Sequence, residues 1–236
     1  MTFLFRLRWP RAKAVLFAAL YAALLGIVLF LLLQLMATYP WRPGRGRGAI
    51  LSYLCQFFGF SYRGGVDPGK GFMTAFASFF LGMGLLEGVV KATPLLLYLR
   101  GRETLNIRDS VLWGLASGAA VGSLEAVSYA STIYPGFSFV TFISSVSLHA
   151  VLNGITAVIA WKREADLEAA EKGVEWFFVA ALIVAASSAL HALYDTFLKQ
   201  DLPSGALAVA IGSFAGFLIL RKRADGWERR VSPSRA

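Results

Sequence analysis

Five ionisable residues stand inside long apolar runs of this chain: Glu87, Lys91, Glu125, His149 and His191, with Asp195 one helical turn beyond the last. Carboxylates and imidazoles move protons and hold metal ions. A charge at the centre of a bilayer costs at least ~2.5–3.5 kcal/mol, so such residues face the protein interior and usually serve function. Glu87 and Lys91 are four apart, as are His149 and Asn153, and His191 and Asp195. Residues at that spacing project from one helix face. Three helices therefore present polar pairs and a fourth presents Glu125. Acid–base catalysis, a zinc site of two His and two Glu, and a proton relay all use such side chains. Plain structural roles use them too: Glu87 and Lys91 as an intrahelical ion pair, His149 as an interhelical hydrogen-bonding group.

The elements that must position these groups are membrane helices. Of the 236 residues 57% are hydrophobic and 16% charged, and the apolar ones gather into six long runs: Ala14–Met36, Phe72–Tyr98, Asp109–Tyr134, Phe139–Trp161, Val174–Lys199 and Pro203–Leu220. A helix needs roughly 20 residues to cross the hydrocarbon core. The expected architecture is all-α, one membrane domain of about six spans. The 14 residues of Ala49–Tyr62 are too few to span and read as an interfacial or re-entrant segment, its aromatics forming an interfacial belt. Residues 221–236 read as a basic cytoplasmic tail, and the Gly/Arg-rich run Arg42–Gly48 as a loop. The first run is longer than the apolar region of a signal peptide, and no A-x-A site follows it, so it reads as a retained anchor.

The net charge of +9 does not point to nucleic acid, because the basic residues cluster at the ends of apolar runs, where they meet anionic lipid. Cys55 is the sole cysteine, which excludes an intrachain disulfide and a cysteine metal cluster. Arg100, Arg102 and Arg108, then Lys162, Arg163 and Lys172, then Arg221–Arg223 share a side with the amino terminus, while Tyr134–Ser138 carries no basic residue. Both termini are therefore expected in the cytoplasm, although Arg42, Arg45, Arg47, Arg63 and Lys70 run against that bias. At about 1.5 Å per residue, Glu87 lies roughly 22 Å from the outer end of its span, Glu125 roughly 13 Å, His149 roughly 15 Å and His191 roughly 12 Å. The four depths overlap. Gly114, Gly118 and Gly122 recur every four residues, as do Gly212 and Gly216, a spacing that lets backbones approach closely in lipid.

Four segments resemble the PrsW family of intramembrane proteases, relatives of the CAAX prenyl proteases and bacteriocin-processing enzymes. The family's E-E-x-x-K is met by Glu87-Gly88-Val89-Val90-Lys91, with Gly88 in place of the second Glu. Its F-x-x-x-E-N is met by Val121-Gly122-Ser123-Leu124-Glu125-Ala126, which keeps only the Glu. A mid-helix His in an S-H-A-L-F-G-like setting corresponds to Ser147-Leu148-His149-Ala150, and H-x-x-x-D to His191-Ala192-Leu193-Tyr194-Asp195. The motifs follow in order over residues 72 to about 200.

The resemblance implies a multi-pass plasma-membrane endopeptidase acting on membrane-anchored proteins or peptides, in a bacterium such as a single-span anti-sigma factor. Hydrolysis needs a base for water, an acid for the leaving amine and donors for the oxyanion. Glu87 is assigned as base, oriented by Lys91; His149 and His191 hold water and donate to the oxyanion. Glu125 is a second acid/base or water ligand, Asp195 fixes the imidazole of His191, and Asn153 supports. Lys91 beside Glu87 disfavours a cation, so metal-free, glutamate-activated hydrolysis is preferred over zinc held by Glu87, Glu125, His149 and His191. A non-catalytic scaffold gripping transmembrane helices is the rival of another class, and a proton-coupled transporter a third.

Overall fold

A computed structural model describes residues 11–38, 47–67, 69–100, 105–132, 139–170 and 173–231, and every element among them is helical. In order they are α1 (Arg11–Thr38), α2 (Arg47–Val66), α3 (Phe72–Phe79), a π-helical turn (Phe80–Gly84) and α4 (Leu85–Arg100). Then come α5 (Ile107–Thr132), α6 (Phe139–Lys162), α7 (Glu164–Ala169), α8 (Gly173–Lys199) and α9 (Pro203–Val231). Six segments are long and apolar enough to cross a bilayer: Val15–Met36, Phe72–Arg100, Ile107–Val127, Phe142–Lys162, Gly173–Lys199 and Pro203–Glu228. This is a multi-pass membrane protein. The loop Tyr134–Ser138, residues 42–46 of the basic loop, Arg102, Lys172 and residues 232–236 of the tail lie outside the described residues.

Two elements run longer than their hydropathy suggests. The segment read as 49–62 is part of a 20-residue helix, α2, which is not among the candidate spans. It carries its aromatics on two faces. Ser52, Cys55, Gly59 and Tyr62 are buried, while Tyr53, Phe57 and Phe60 are exposed. Helix α9 continues past Leu220 to Val231, carrying an Arg221–Asp225 ion pair at the (i, i+4) spacing that supports an exposed helix.

Packing follows the small residues. In lipid no hydrophobic force draws helices together, so contact depends on close van der Waals approach. Helix α5 lies against α6 through Gly114, Gly118 and Gly122. A Cβ at Gly118 would stand 2.7 Å from the carbonyl carbon of His149 and 2.8 Å from Asn153 Cβ, so only glycine permits the approach. Gly212 and Gly216 behave otherwise. Nothing lies within 4 Å of a Cβ at either position. The buried stripe of α9 instead runs through Ala206, Val209, Ser213, Phe217 and Ala224, so both glycines point away from the other described residues. Helix α1 is mostly lipid-facing: Leu16, Leu20, Leu24, Leu31 and Leu35 are exposed, and Ala18, Ala22 and Leu33 face inward.

Candidate active site

Glu87 sits in the first turn of α4, directly after the π-helical turn. A π turn carries an extra residue and is frequent at functional sites. Here it is wedged between two helices. A Cβ at Gly82 would meet the backbone nitrogen of Tyr62 at 2.8 Å, and one at Gly84 the carbonyl oxygen of Ser188 at 3.0 Å. Ser188 Oγ donates to the Gly84 carbonyl oxygen at 2.8 Å, fastening the turn to α8.

Gly88 packs against the same helix. A Cβ there would lie 2.8 Å from Ser188 Oγ and 3.2 Å from Val184 Cβ. The second Glu of the family motif has no room at this position. The departure from E-E-x-x-K is thus matched by the close approach of α4 and α8.

Four helices converge on one buried cluster. Glu87 and Lys91 come from α4, Glu125 from α5, His149 from α6, and His191 with Asp195 from α8. All six are nearly or fully buried, from 2% exposed at His149 to 8% at Glu125. Lys91 Nζ lies 2.7 Å from Glu87 Oε1 and 3.0 Å from His149 Nδ1. His149 Nε2 is 2.8 Å from Glu125 Oε2, and its ring meets that of His191 edge-on with centroids 4.5 Å apart. His191 Nδ1 is 3.9 Å from Glu87 Oε2, its Nε2 is 3.9 Å from Glu125 Oε1, and Asp195 Oδ2 stands 3.3 Å from the same Nε2. Asn153 does not join them. Its amide donates to Ser117 Oγ at 2.7 Å, tying α6 to α5 one turn away.

Within this cluster Lys91 Nζ hydrogen-bonds His149 Nδ1, but other polar atoms lie close without doing so. Glu87 Oε1, both oxygens of Glu125 and His191 Nε2 are buried without a hydrogen-bond partner, although each has an oppositely polar atom within 4 Å. Buried polar atoms are normally satisfied, and orphans call for an explanation such as an ion. One ligating atom from each of Glu87, Glu125, His149 and His191 can be chosen so that all lie within 4.8 Å of one another. Charge tells the same story. Three buried carboxylates face one ammonium, leaving, when all are ionised and both imidazoles neutral, a deficit of two positive charges. Uncompensated buried charge is costly, so protons or a divalent cation must supply the difference.

A family model described as PrsW family intramembrane metalloprotease matches residues 10–220. The chain belongs to the PrsW family. It is accordingly an intramembrane protease, and the family implies protein substrates. Nothing among curated proteins or solved structures matches the chain. The preference for metal-free hydrolysis finds no support. This PrsW chain's family is described as metalloproteases, and Glu87, Glu125, His149 and His191 form a buried group that could hold one ion. Lys91, the reason for that preference, leaves the charge deficit standing.

Sequence reading missed Tyr62. Its aromatic stretch reads as a belt, yet Tyr62 is 6% exposed, hydrogen-bonds Gln34 of α1 and lies within electrostatic reach of Glu125. The helical spacing of Ser52, Cys55, Gly59 and Tyr62 was the available signal. The π turn and the Ser188 contact left no comparable trace.

Proposed function

We propose that the protein is a zinc-dependent endopeptidase of the cell membrane that cleaves membrane-anchored protein substrates, with Glu87, Glu125, His149 and His191 as its reaction centre. The carrying observation is the convergence of these four buried side chains, with unsatisfied oxygens and nitrogen, within the span of one ion's ligand shell. Two imidazoles and a carboxylate are a ligand set of catalytic zinc sites, which keep a further position for water. Glu125, His149 and His191 fill that set. When bound, the zinc lowers the pKa of water and polarises the scissile carbonyl.

Glu87 remains to take the proton from water and pass it to the leaving amine. Lys91, 2.7 Å from its Oε1, holds that carboxylate in place. Asp195, 3.3 Å from His191 Nε2, holds that ring in place. Burial among four helices keeps bulk water from the cluster and strengthens each of these interactions. Both termini are placed in the cytoplasm and the cluster toward the outer leaflet, from the asymmetry of Lys and Arg.

The test is cleavage of single-span fluorogenic substrates by the protein in liposomes, with and without chelator and with zinc added back. Wild type should lose cleavage to chelator and recover it with zinc, and Glu87→Gln and His191→Ala should not cleave. Cleavage that survives chelation, or that Glu87→Gln retains, refutes the assignment.

A further inference from the structure

Lys91 is the one part of this cluster that opposes metal binding, and its geometry says how. Its ammonium has three donors and no acceptor. At 3.0 Å from His149 Nδ1 it donates, and the imidazole accepts. A neutral imidazole that accepts at Nδ1 carries its proton on Nε2. That nitrogen is the one beside Glu125, 2.8 Å from Oε2, and in this tautomer it has no lone pair for a cation. Metal-bound histidines instead donate their second N–H to a carboxylate, carbonyl or water. Lys91 is none of these.

The acceptor needed is already at hand. Glu87 Oε1 stands 3.6 Å from His149 Nδ1, and the same ammonium bridges the two. If Lys91 moves off Nδ1 while keeping Glu87, that carboxylate oxygen can receive an Nδ1–H, and Nε2 is freed to bind. A metal-bound arrangement would then need only this movement of Lys91 and the transfer of the imidazole proton from Nε2 to Nδ1.

We propose, building on the metal-dependent reading above, that Lys91 is a displaceable internal cation that holds His149 in the tautomer unable to ligate, so that metal binds only when Lys91 leaves Nδ1. In the metal-free protein it offsets part of the carboxylate charge. Against an incoming divalent cation it is both a like charge and a competitor for His149. Its strength therefore sets how tightly the site takes metal.

The experiment is zinc affinity of the full-length protein in detergent micelles, by competition with a chromophoric chelator, with cobalt(II) absorption as a second readout of the ligand set. Lys91→Gln and Lys91→Met should bind zinc at least about tenfold more tightly than wild type, since like-charge repulsion in a buried site is strong. Lys91→Arg, which keeps the charge, should bind no tighter than wild type and shows whether bulk alone matters. A merely structural lysine predicts the opposite, because its loss would loosen the cluster and weaken binding. Equal or weaker affinity in both neutral variants overturns the proposal, as does tighter binding by Lys91→Arg. If wild type and all variants bind no metal, the metal-dependent reading falls as well; if wild type binds and the neutral variants match it, only the role of Lys91 falls.

Discussion

Gly122→Ala offers the sharpest test of whether the α5–α6 contact sets the site. The new Cβ would meet His149 Cβ at 2.8 Å, Val146 Cα at 3.0 Å and His149 Cγ at 3.1 Å. None of these is the far end of a flexible chain. Ordinary contact begins at 3.4 Å, so the helices must part locally by about 0.6 Å. Glu125 lies three residues along the same helix, and its carboxylate is 2.8 Å from His149 Nε2. Overpacking of this size costs about 1–3 kcal/mol. Alanine recovers up to about 1 kcal/mol over glycine in helix propensity, so the variant should fold with a modestly lowered thermal midpoint. Activity is more sensitive, because a misplacement near 1 Å can cost about a hundredfold. A fall in kcat/KM of about tenfold to a hundredfold is expected. The assay is liposome cleavage beside thermal unfolding, with Gly212→Ala as control, a position where nothing lies within 4 Å of the new atom. If Gly122→Ala cleaves as well as Gly212→Ala, the contact does not set the geometry of the site.

Three further outcomes are expected. Gly88→Glu, which restores the second Glu of the family motif, should lower the thermal midpoint by the equivalent of about 1–3 kcal/mol and give no gain in cleavage, since α8 lies 2.8 Å from the new Cβ; a faster, equally stable variant would contradict this. Ser188→Ala leaves the Gly84 carbonyl in the buried π turn without its 2.8 Å donor. Loss of that hydrogen bond should cost about 0.5–1.5 kcal/mol in unfolding and lower kcat more than it changes KM; unchanged kinetics would show that the contact does not position Glu87. If all six candidate spans cross the bilayer, both termini lie on one side; with the proposed orientation, reporter fusions at either end should give the same cytoplasmic signal, and opposite signals would refute the topology.

What the sequence makes legible is periodicity on a single helix. The four-residue intervals of Glu87/Lys91 and His191/Asp195 give their shared faces, and the intervals of Gly114, Gly118 and Gly122 give a close helix contact. Gly212 and Gly216 show the limit of that logic. The same spacing serves a face with no neighbour among the described residues, because spacing reports a stripe and not what covers it. Asn153 shares a face with His149 yet bonds Ser117, since a turn of helix separates it from the convergence point. Tyr62 and Ser188 matter through contacts between segments distant in the chain, and local pattern carries little of that. The metal-free preference rests on one pair, Glu87 with Lys91, whereas the charge count depends on all four helices.

The π turn at Phe80–Gly84 is also a matter of phase. It is a residue of slack taken up inside one wide turn, so the helix on either side keeps the phase it would have without it. In a helix with no such slack, losing one residue would swing everything beyond it by about 100°, since a helix turns once every 3.6 residues. Here a deletion of one codon within Phe80–Gly84 would leave a continuous α-helix with Glu87 and Lys91 still aimed at His149. What it would take away is the wide turn itself, and with it the hold of Ser188 on the Gly84 carbonyl.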